Sequence, residues 1–287
     1  MEVRHSIDDL RATLRSRPRP VAFVPTMGAL HEGHLSLVHA ARRWGGPEAT
    51  VVVSIFVNPT QFAPHEDFDA YPRDLDRDLA LCNVAGADVV FTPDRGMIYA
   101  PDASVRVVEE QLSGGLCGAS RPHFFGGVCT VVAKLFHIVQ PDAAVFGEKD
   151  FQQLAVIRRM VRDLHWPIEI LAGPIVRESD GLAMSSRNRY LDRELRQQAL
   201  VLNQSLLLAR DAVAAGERDP QRLQALIEAR ILTAPLARID YIAVVDPDRL
   251  VPLERIQGQL LVAIAVFFGT TRLIDNVCIR DLPHEPI

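Results

Sequence analysis

Apolar and polar positions along this chain fall into blocks that predict its elements in order. Ile7, Leu10 and Leu14 recur at helical spacing behind Ser6, an N-cap with Asp9 in the capping-box position, and Pro18 and Pro20 end that helix. Val21 to Val24 is a short apolar run and predicts a buried strand. Leu35, Val38 and Ala41 then predict a helix that stops at Gly45-Gly46. Thr50 to Val57 is β-branched and nearly all apolar, the pattern of a central parallel strand covered on both faces. Phe62 to Arg73 has no period and reads as a long loop or lid. A helix with Leu75, Leu79 and Cys82 inward follows, then a strand at Asp88 to Phe91. Ser104 to Val108 alternates weakly, as an edge strand would, and Gln111 to Gly127 is glycine-rich and irregular. Val128 to Val139 is an apolar helix and Ala143 to Phe146 a buried strand. A helix from Phe151 to Leu164 and returning segments at Ile168 to Leu171 and Ile175-Val176 complete the series.

Past Leu191 the pattern changes. Asp192 to Ala214 predicts one long amphipathic helix with Leu195, Ala199, Leu202, Leu206 and Val213 inward, and Pro220 to Leu232 a second. Three strands follow, Ile239 to Val245, Gln259 to Phe267 and Thr271 to Ile279, the last two joined by a hairpin at Gly269-Thr270-Thr271. Alternating strands and helices followed by helices and then strands predict two domains. The first is an α/β, Rossmann-like parallel sheet over residues 1–178. The second is a smaller α+β domain over residues 179–287, with the boundary near Arg177 to Ser186.

Composition narrows the function. The 287 residues, 48% hydrophobic and 23% charged, suffice for a real core in one large or two ordinary domains. A net charge of −5 argues against a dedicated nucleic-acid binder. No apolar run reaches membrane-spanning length, and the start of the chain has no apolar signal core, so a cytoplasmic protein is expected. Cys82, Cys117, Cys129 and Cys278 are scattered without a C-x-x-C pair, which fits reduced thiols rather than a metal or redox centre.

The polar residues that interrupt these elements lie at strand ends, where open α/β sheets bind ligands. Pro25 to His34 reads P-T-M-G-A-L-H-E-G-H, the passage from a strand into a helix. Gly28 permits a tight turn, the helix start offers N–H groups to an anion, and His31 and His34 share one face at its mouth. Histidines at this spacing are more often surface or core residues, and no nearby Cys or carboxylate completes a zinc site. Asn58 and Gln61 end the second strand, where Asn-Pro also serves as a turn pair. Gly147-Glu148-Lys149-Asp150 ends another, as a solvated turn or as a lysine for phosphate beside an aspartate for ribose or a metal ion. Met184-Ser185-Ser186-Arg187 offers two hydroxyls and a guanidinium to a pyrophosphate, or serine caps to a helix.

H-E-G-H after a strand resembles the HIGH-type signature of the nucleotidyltransferase and class I aminoacyl-tRNA synthetase superfamily, and Met184 to Arg187 its KMSKS-type loop. Four blocks together resemble one family, the pantothenate synthetases (pantoate–β-alanine ligases). They are Pro25 to His34, Phe56 to Pro59 with Gln61-Phe62, Phe146 to Gln153 and Gly181 to Asn188. The resemblance implies ATP-dependent ligation of pantoate and β-alanine through pantoyl adenylate, with release of pyrophosphate and AMP. It implies that Met27, Gly28, Ala29, Leu30, His31, Glu32, Gly33 and His34 bind ATP, with Gly147, Glu148, Lys149 and Asp150, the backbone of Val176, and Met184, Ser185, Ser186 and Arg187. His34 would be the proton donor, and His31, Lys149 and Arg187 would share the catalytic work. Gln61, Gln153 and Asn58 would serve pantoate and β-alanine. Mg²⁺ would accompany the triphosphate, without a dedicated protein metal site. A cytoplasmic homodimer is also implied, as is closure of Phe62 to Tyr71 or of the small domain over the intermediate.

One block departs. Where the family shows R-x-G-H-F-x-G-V, Arg121 to Val128 reads R-P-H-F-F-G-G-V, with Phe124 at the histidine's place. A nucleotidylyltransferase that retains the nucleotide in its product is the nearest alternative. An aminoacyl-tRNA synthetase is disfavoured by the acidic charge and the lack of an anticodon-binding extension. A non-catalytic ATP sensor is disfavoured by the presence of His34, Lys149 and Arg187.

Overall fold

The computed structural model describes residues 1–63, 66 and 68–280. Pro64, His65 and Asp67, inside the expected lid, lie outside the described residues, as do residues 281–287. The chain divides into two compact units. The first comprises residues 1–113, 121–148 and 153–176, the second residues 114–120, 149–152 and 177–287.

The first unit is a six-stranded parallel sheet. Its strands are β1 (Glu2–Arg4), β2 (Val21–Thr26), β3 (Thr50–Ile55), β4 (Val89–Phe91), β5 (Ala143–Gly147) and β6 (Glu169–Gly173), in the order β1-β4-β3-β2-β5-β6. Successive side chains of β2 alternate between faces. Ala22 and Val24 pack with Leu35, Val38 and Ala41 of the helix Glu32–Gly45. Phe23 meets Phe136 of the helix Phe124–Val139 edge-on, ring centroids 6.4 Å apart. The sheet grows one way from β2 through β3 and β4, and the other way through β5 and β6. β2 and β5 pair only at Ala22–Ala143 and Phe23–Ala144, so their carboxyl ends diverge. That divergence is the topological switch point at which open α/β sheets bind ligands.

The second unit contains the antiparallel sheet β7 (Ala237–Val245), β8 (Leu260–Phe268) and β9 (Thr271–Ile279), with the expected hairpin between the last two. Leu202, Leu206 and Val213 of the helix Val201–Ala214, with Leu223 and Ile227 of the helix Pro220–Ile231, share one core with Val262, Ile264 and Val266 of β8. The α/β and α+β architectures are thus those expected from the sequence pattern.

Several local expectations are corrected. Ser104 to Val108 forms no strand: the Val107 N–H and C=O both bond the Thr130 hydroxyl, and Val105 and Val108 are exposed. The expected helix Asp192 to Ala214 is two, Arg193–Ala199 and Val201–Ala214, with Leu200 between them still right-handed (φ −60°, ψ −22°). The helix expected from Val128 begins at Phe124 and absorbs Gly126 and Gly127. Gly127 is there for packing, since a Cβ on it would stand 2.3 Å from the Thr60 carbonyl oxygen. β1 was not anticipated because three half-buried residues at a sheet edge carry little apolar signal. In the helix Leu75–Val84, Leu75 faces solvent and Asp78 faces inward.

Candidate active site

The passage out of β2 is a wound turn held by one carboxylate. Gly28 (φ +79°) and Ala29 (φ +50°) both take left-handed backbone, which turns the next two N–H groups back toward the helix Leu75–Val84. There Ala29 N–H donates to Asp78 Oδ2 and Leu30 N–H to Asp78 Oδ1, both at 2.8 Å. Arg77 Nη1 donates to the Leu30 carbonyl at 3.0 Å. Burial holds the Asp78 carboxyl above its ordinary range, opposed by the hydrogen bonds from Leu30 and Ala29. Sequence reasoning missed Asp78 because an aspartate in a helix reads as solvated surface. The only signal was its place four residues before Cys82, on the buried face of the helix.

His31 is the extended N-cap of the helix Glu32–Gly45 (φ −145°, ψ 173°). Its Nδ1 accepts from Gly33 N–H at 3.2 Å, while His34 Nδ1 accepts from His31 N–H at 3.4 Å, a reciprocal cap made by two imidazoles. Their ring centroids are 4.1 Å apart. An Nδ1 that accepts a backbone N–H leaves the neutral ring's proton on Nε2. The helix start therefore differs from the expected row of free N–H donors. Gly33 N–H is taken by His31, and His34 N–H bonds the His31 carbonyl at 2.7 Å.

Beyond β3, Asn58 caps the short turn Pro59–Gln61 and is 1% exposed. Its amide donates to Gln61 Oε1 at 2.9 Å and to the Gly127 carbonyl at 3.1 Å. Its Oδ1 accepts from Tyr99 Oη and Thr60 Oγ1, each at 2.9 Å. Asn58 is therefore fully engaged within the protein and orients Gln61. Arg121 Nη2 donates to the Gln61 carbonyl at 2.8 Å and pairs with Glu66 at 2.6 Å. The Phe124 ring, where the family has histidine, lies 4.0 Å from the Arg121 guanidinium and buttresses the same pair. Gly147, Glu148, Gln153 and Val176 belong to this first unit and are half-buried, the first two at the carboxyl end of β5.

The second unit holds Lys149, Asp150 and Met184 to Arg187. Lys149 is half-buried and Asp150 exposed, in the short turn Glu148–Asp150 before the helix Phe151–Asp163. Gln152, next to the expected substrate residue Gln153, is used structurally: it bonds Cys117 N–H at 2.9 Å and the Gly115 carbonyl at 2.7 Å. Ser185 Oγ accepts from Arg187 N–H at 3.3 Å and caps the turn Ser186–Tyr190, so the serine-cap reading holds for Ser185. Asn188 anchors the segment by donating to Glu178 Oε1 at 2.7 Å and to the Ala183 carbonyl at 3.0 Å. Met184, Ser185, Ser186 and Arg187 are all half-buried, accessible in part to a ligand.

Among the described residues, no group of three His, Cys, Asp or Glu is placed to hold a metal ion. No helix among them is long and apolar enough to cross a membrane.

The pantoate–β-alanine ligase family model matches residues 2–278. Pantothenate synthetase of Moorella thermoacetica is 53% identical over 98% of this chain and 99% of its own length. That of Pelotomaculum thermopropionicum is 51% identical over 98% and 100%. The solved structure of pantothenate synthetase from Thermus thermophilus superposes with a TM-score of 0.91 at 47% identity, covering 96% of this chain and 99% of the other. Pantoate–β-alanine ligase from Francisella tularensis, complexed with β,γ-ATP and β-alanine, gives 0.77 at 30% identity, covering 96% and 97%. The chain thus belongs to the pantoate–β-alanine ligase family.

Proposed function

We propose that this enzyme joins pantoate to β-alanine in two steps that consume ATP. A carboxylate is a poor electrophile, so one of its oxygens must become part of a leaving group. The pantoate carboxylate attacks the α-phosphorus of ATP and pyrophosphate departs, leaving a pantoyl–AMP mixed anhydride. The β-alanine amine then attacks the acyl carbon, the amide forms and AMP leaves with the bridging oxygen.

The observation that carries this reading is the pair of imidazoles at the carboxyl end of β2. Both have Nδ1 turned to backbone N–H, which leaves the neutral rings' protons on Nε2, the atoms this reading assigns to the phosphate oxygens. Two anions meet in the first step, so fixed donors must compensate the charge that develops. In this reading His34 Nε2 is the proton donor and His31 its neighbour on the triphosphate. Met27 to Leu30, Glu32 and Gly33 frame the nucleotide, and Gly147, Glu148 and the Val176 backbone flank it. Lys149 and Arg187 supply positive charge, with hydrogen bonds from Ser185 and Ser186 beside Met184. Gln61, oriented by Asn58, and Gln153 hold pantoate, since an amide offers both donor and acceptor to its hydroxyls and carboxylate. Gln61 is also assigned to β-alanine.

Mg²⁺ fits as a passenger on the triphosphate: Asp150 is exposed and offers one carboxylate, the kind of sparse protein ligation that Mg²⁺ accepts when phosphate and water complete its shell. The ion would screen phosphate charge. The family resemblance extends the proposal to a cytoplasmic homodimer.

The test is product analysis with purified protein, ATP and Mg²⁺. AMP that accumulates over many turnovers only when pantoate and β-alanine are both present is the expected result. ADP and inorganic phosphate in place of AMP and pyrophosphate would mean an acyl phosphate and would overturn the adenylate route.

A further inference from the structure

β9 carries two adjacent buried polar residues, Asp275 and Asn276, 2% and 5% exposed. Neighbours on a strand point to opposite faces, so the pair can serve two different segments. Asp275 takes the Arg177 guanidinium bidentately, at 2.6 and 3.0 Å. Arg177 Nη1 also donates to the Gly181 carbonyl at 3.2 Å, within the turn that leads to Met184–Arg187. On the other side, Asn276 Nδ2 donates to the main-chain carbonyl of Lys149 at 2.9 Å. Lys149, Ser185, Asn188 and Asp275 line one small cavity of the second unit. Asp275 is buried while Arg177 keeps part of its surface in solvent, and apolar side chains often replace such pairs without loss of stability, so their use in a core strand points to placement.

We infer that Asn276 and Asp275 are positioning residues for the phosphate-handling groups of this enzyme. Asn276 fixes the main chain of Lys149 and with it the reach of the ammonium. Asp275, through Arg177, fixes the entry to the Ser185–Arg187 segment. One strand thus sets the spacing between the lysine charge and the serine-arginine donors inside the second unit. The inference rests on the role in ATP binding proposed above for Lys149.

The experiment is a double-mutant cycle on kcat/KM for ATP at saturating pantoate and β-alanine, using Lys149→Ala, Asn276→Thr and the combination. Thr keeps strand propensity while its hydroxyl is too short to reach the Lys149 carbonyl. Asn276→Ser, smaller still, is carried in parallel, and a cooperative melt establishes that each variant is folded. Asn276→Thr is expected to lower kcat/KM for ATP by about ten- to a hundredfold with the pantoate KM unchanged. In the Lys149→Ala background the same substitution is expected to have no further effect. An equal loss in both backgrounds would overturn the inference, as would an unchanged kcat/KM in both Asn276 variants. If Lys149→Ala alone leaves ATP kinetics untouched, the proposed role of Lys149 fails first and the inference falls with it. The two failures are therefore distinguishable.

Discussion

A Cβ built on Gly28 would stand 2.9 Å from Oδ2 of Asp78. The turn after β2 is closed so tightly on this carboxylate that only glycine fits, and the left-handed backbone of Gly28 adds a second reason. Gly28→Ala is expected to cost about 1–3 kcal/mol of stability from backbone strain alone. Displacement of the Ala29 to His34 segment by the clash is expected to lower kcat/KM for ATP by about a hundredfold. Steady-state kinetics with a thermal melt check both. Wild-type kinetics in this variant would mean that the turn is not part of the nucleotide site.

Asp78→Ala strands two buried backbone N–H groups, each worth about 1–3 kcal/mol when left unpaired. Asp78→Asn keeps one acceptor and should be milder. Its pH dependence has a defined sign. Burial raises the folded-state value above the usual 3.8, so the folded protein holds this proton more tightly than the unfolded chain. The resulting stabilisation is complete below 3.8 and is lost as pH rises through the folded value. Denaturant titrations of wild type and Asp78→Asn should therefore show a difference in favour of wild type that shrinks with rising pH across that window. A difference that grows would contradict the assignment.

Asn58 and Gln61 should behave as one unit, because Asn58 orients the Gln61 amide at 2.9 Å. Loss of a hydrogen bond worth about 0.5–1.5 kcal/mol predicts a rise in pantoate KM of up to about tenfold for Asn58→Ala. The double variant should be no worse than Gln61→Ala alone. Kinetics with pantoate varied at fixed ATP decide it, and an effect confined to ATP would sink the assignment.

The four thiols should label unequally. Burial, with the Asp78 charge behind it, pushes Cys82 up to about 12, and burial with Glu109 pushes Cys129 up to about 11. Cys117 is buried, and Cys278 is half-buried on β9. Peptide mapping after brief treatment with iodoacetamide at neutral pH should find Cys278 modified first. Equal labelling of Cys82 or Cys129 would mean that the first unit opens far more readily than its packing implies.

What was legible in the sequence was whatever had a period or a punctuating residue. The runs Val21 to Val24 and Thr50 to Val57 announced β2 and β3 because strands buried on both faces are apolar throughout. Gly28 and Gly45-Gly46 marked a turn and a helix end. Glycine misled where its role was contact: Gly127 lies inside a helix because another backbone needs the space of its missing side chain. Long-range polar pairs left no local trace. Asp78 meets Ala29 and Leu30, and Asn276 meets Lys149, from distant parts of the chain. The strand-end motifs named the residues expected to face a ligand, while those holding them in place emerged only from the fold.

The most direct test of the central claim is the fate of a carboxylate oxygen. Pantoate labelled with ¹⁸O in its carboxylate, turned over with ATP, Mg²⁺ and β-alanine, should transfer one labelled oxygen to AMP and none to pyrophosphate, as read by mass spectrometry. Label in inorganic phosphate or pyrophosphate, or AMP free of label, would mean that the carboxylate does not attack the α-phosphorus and that His31 and His34 serve a different reaction.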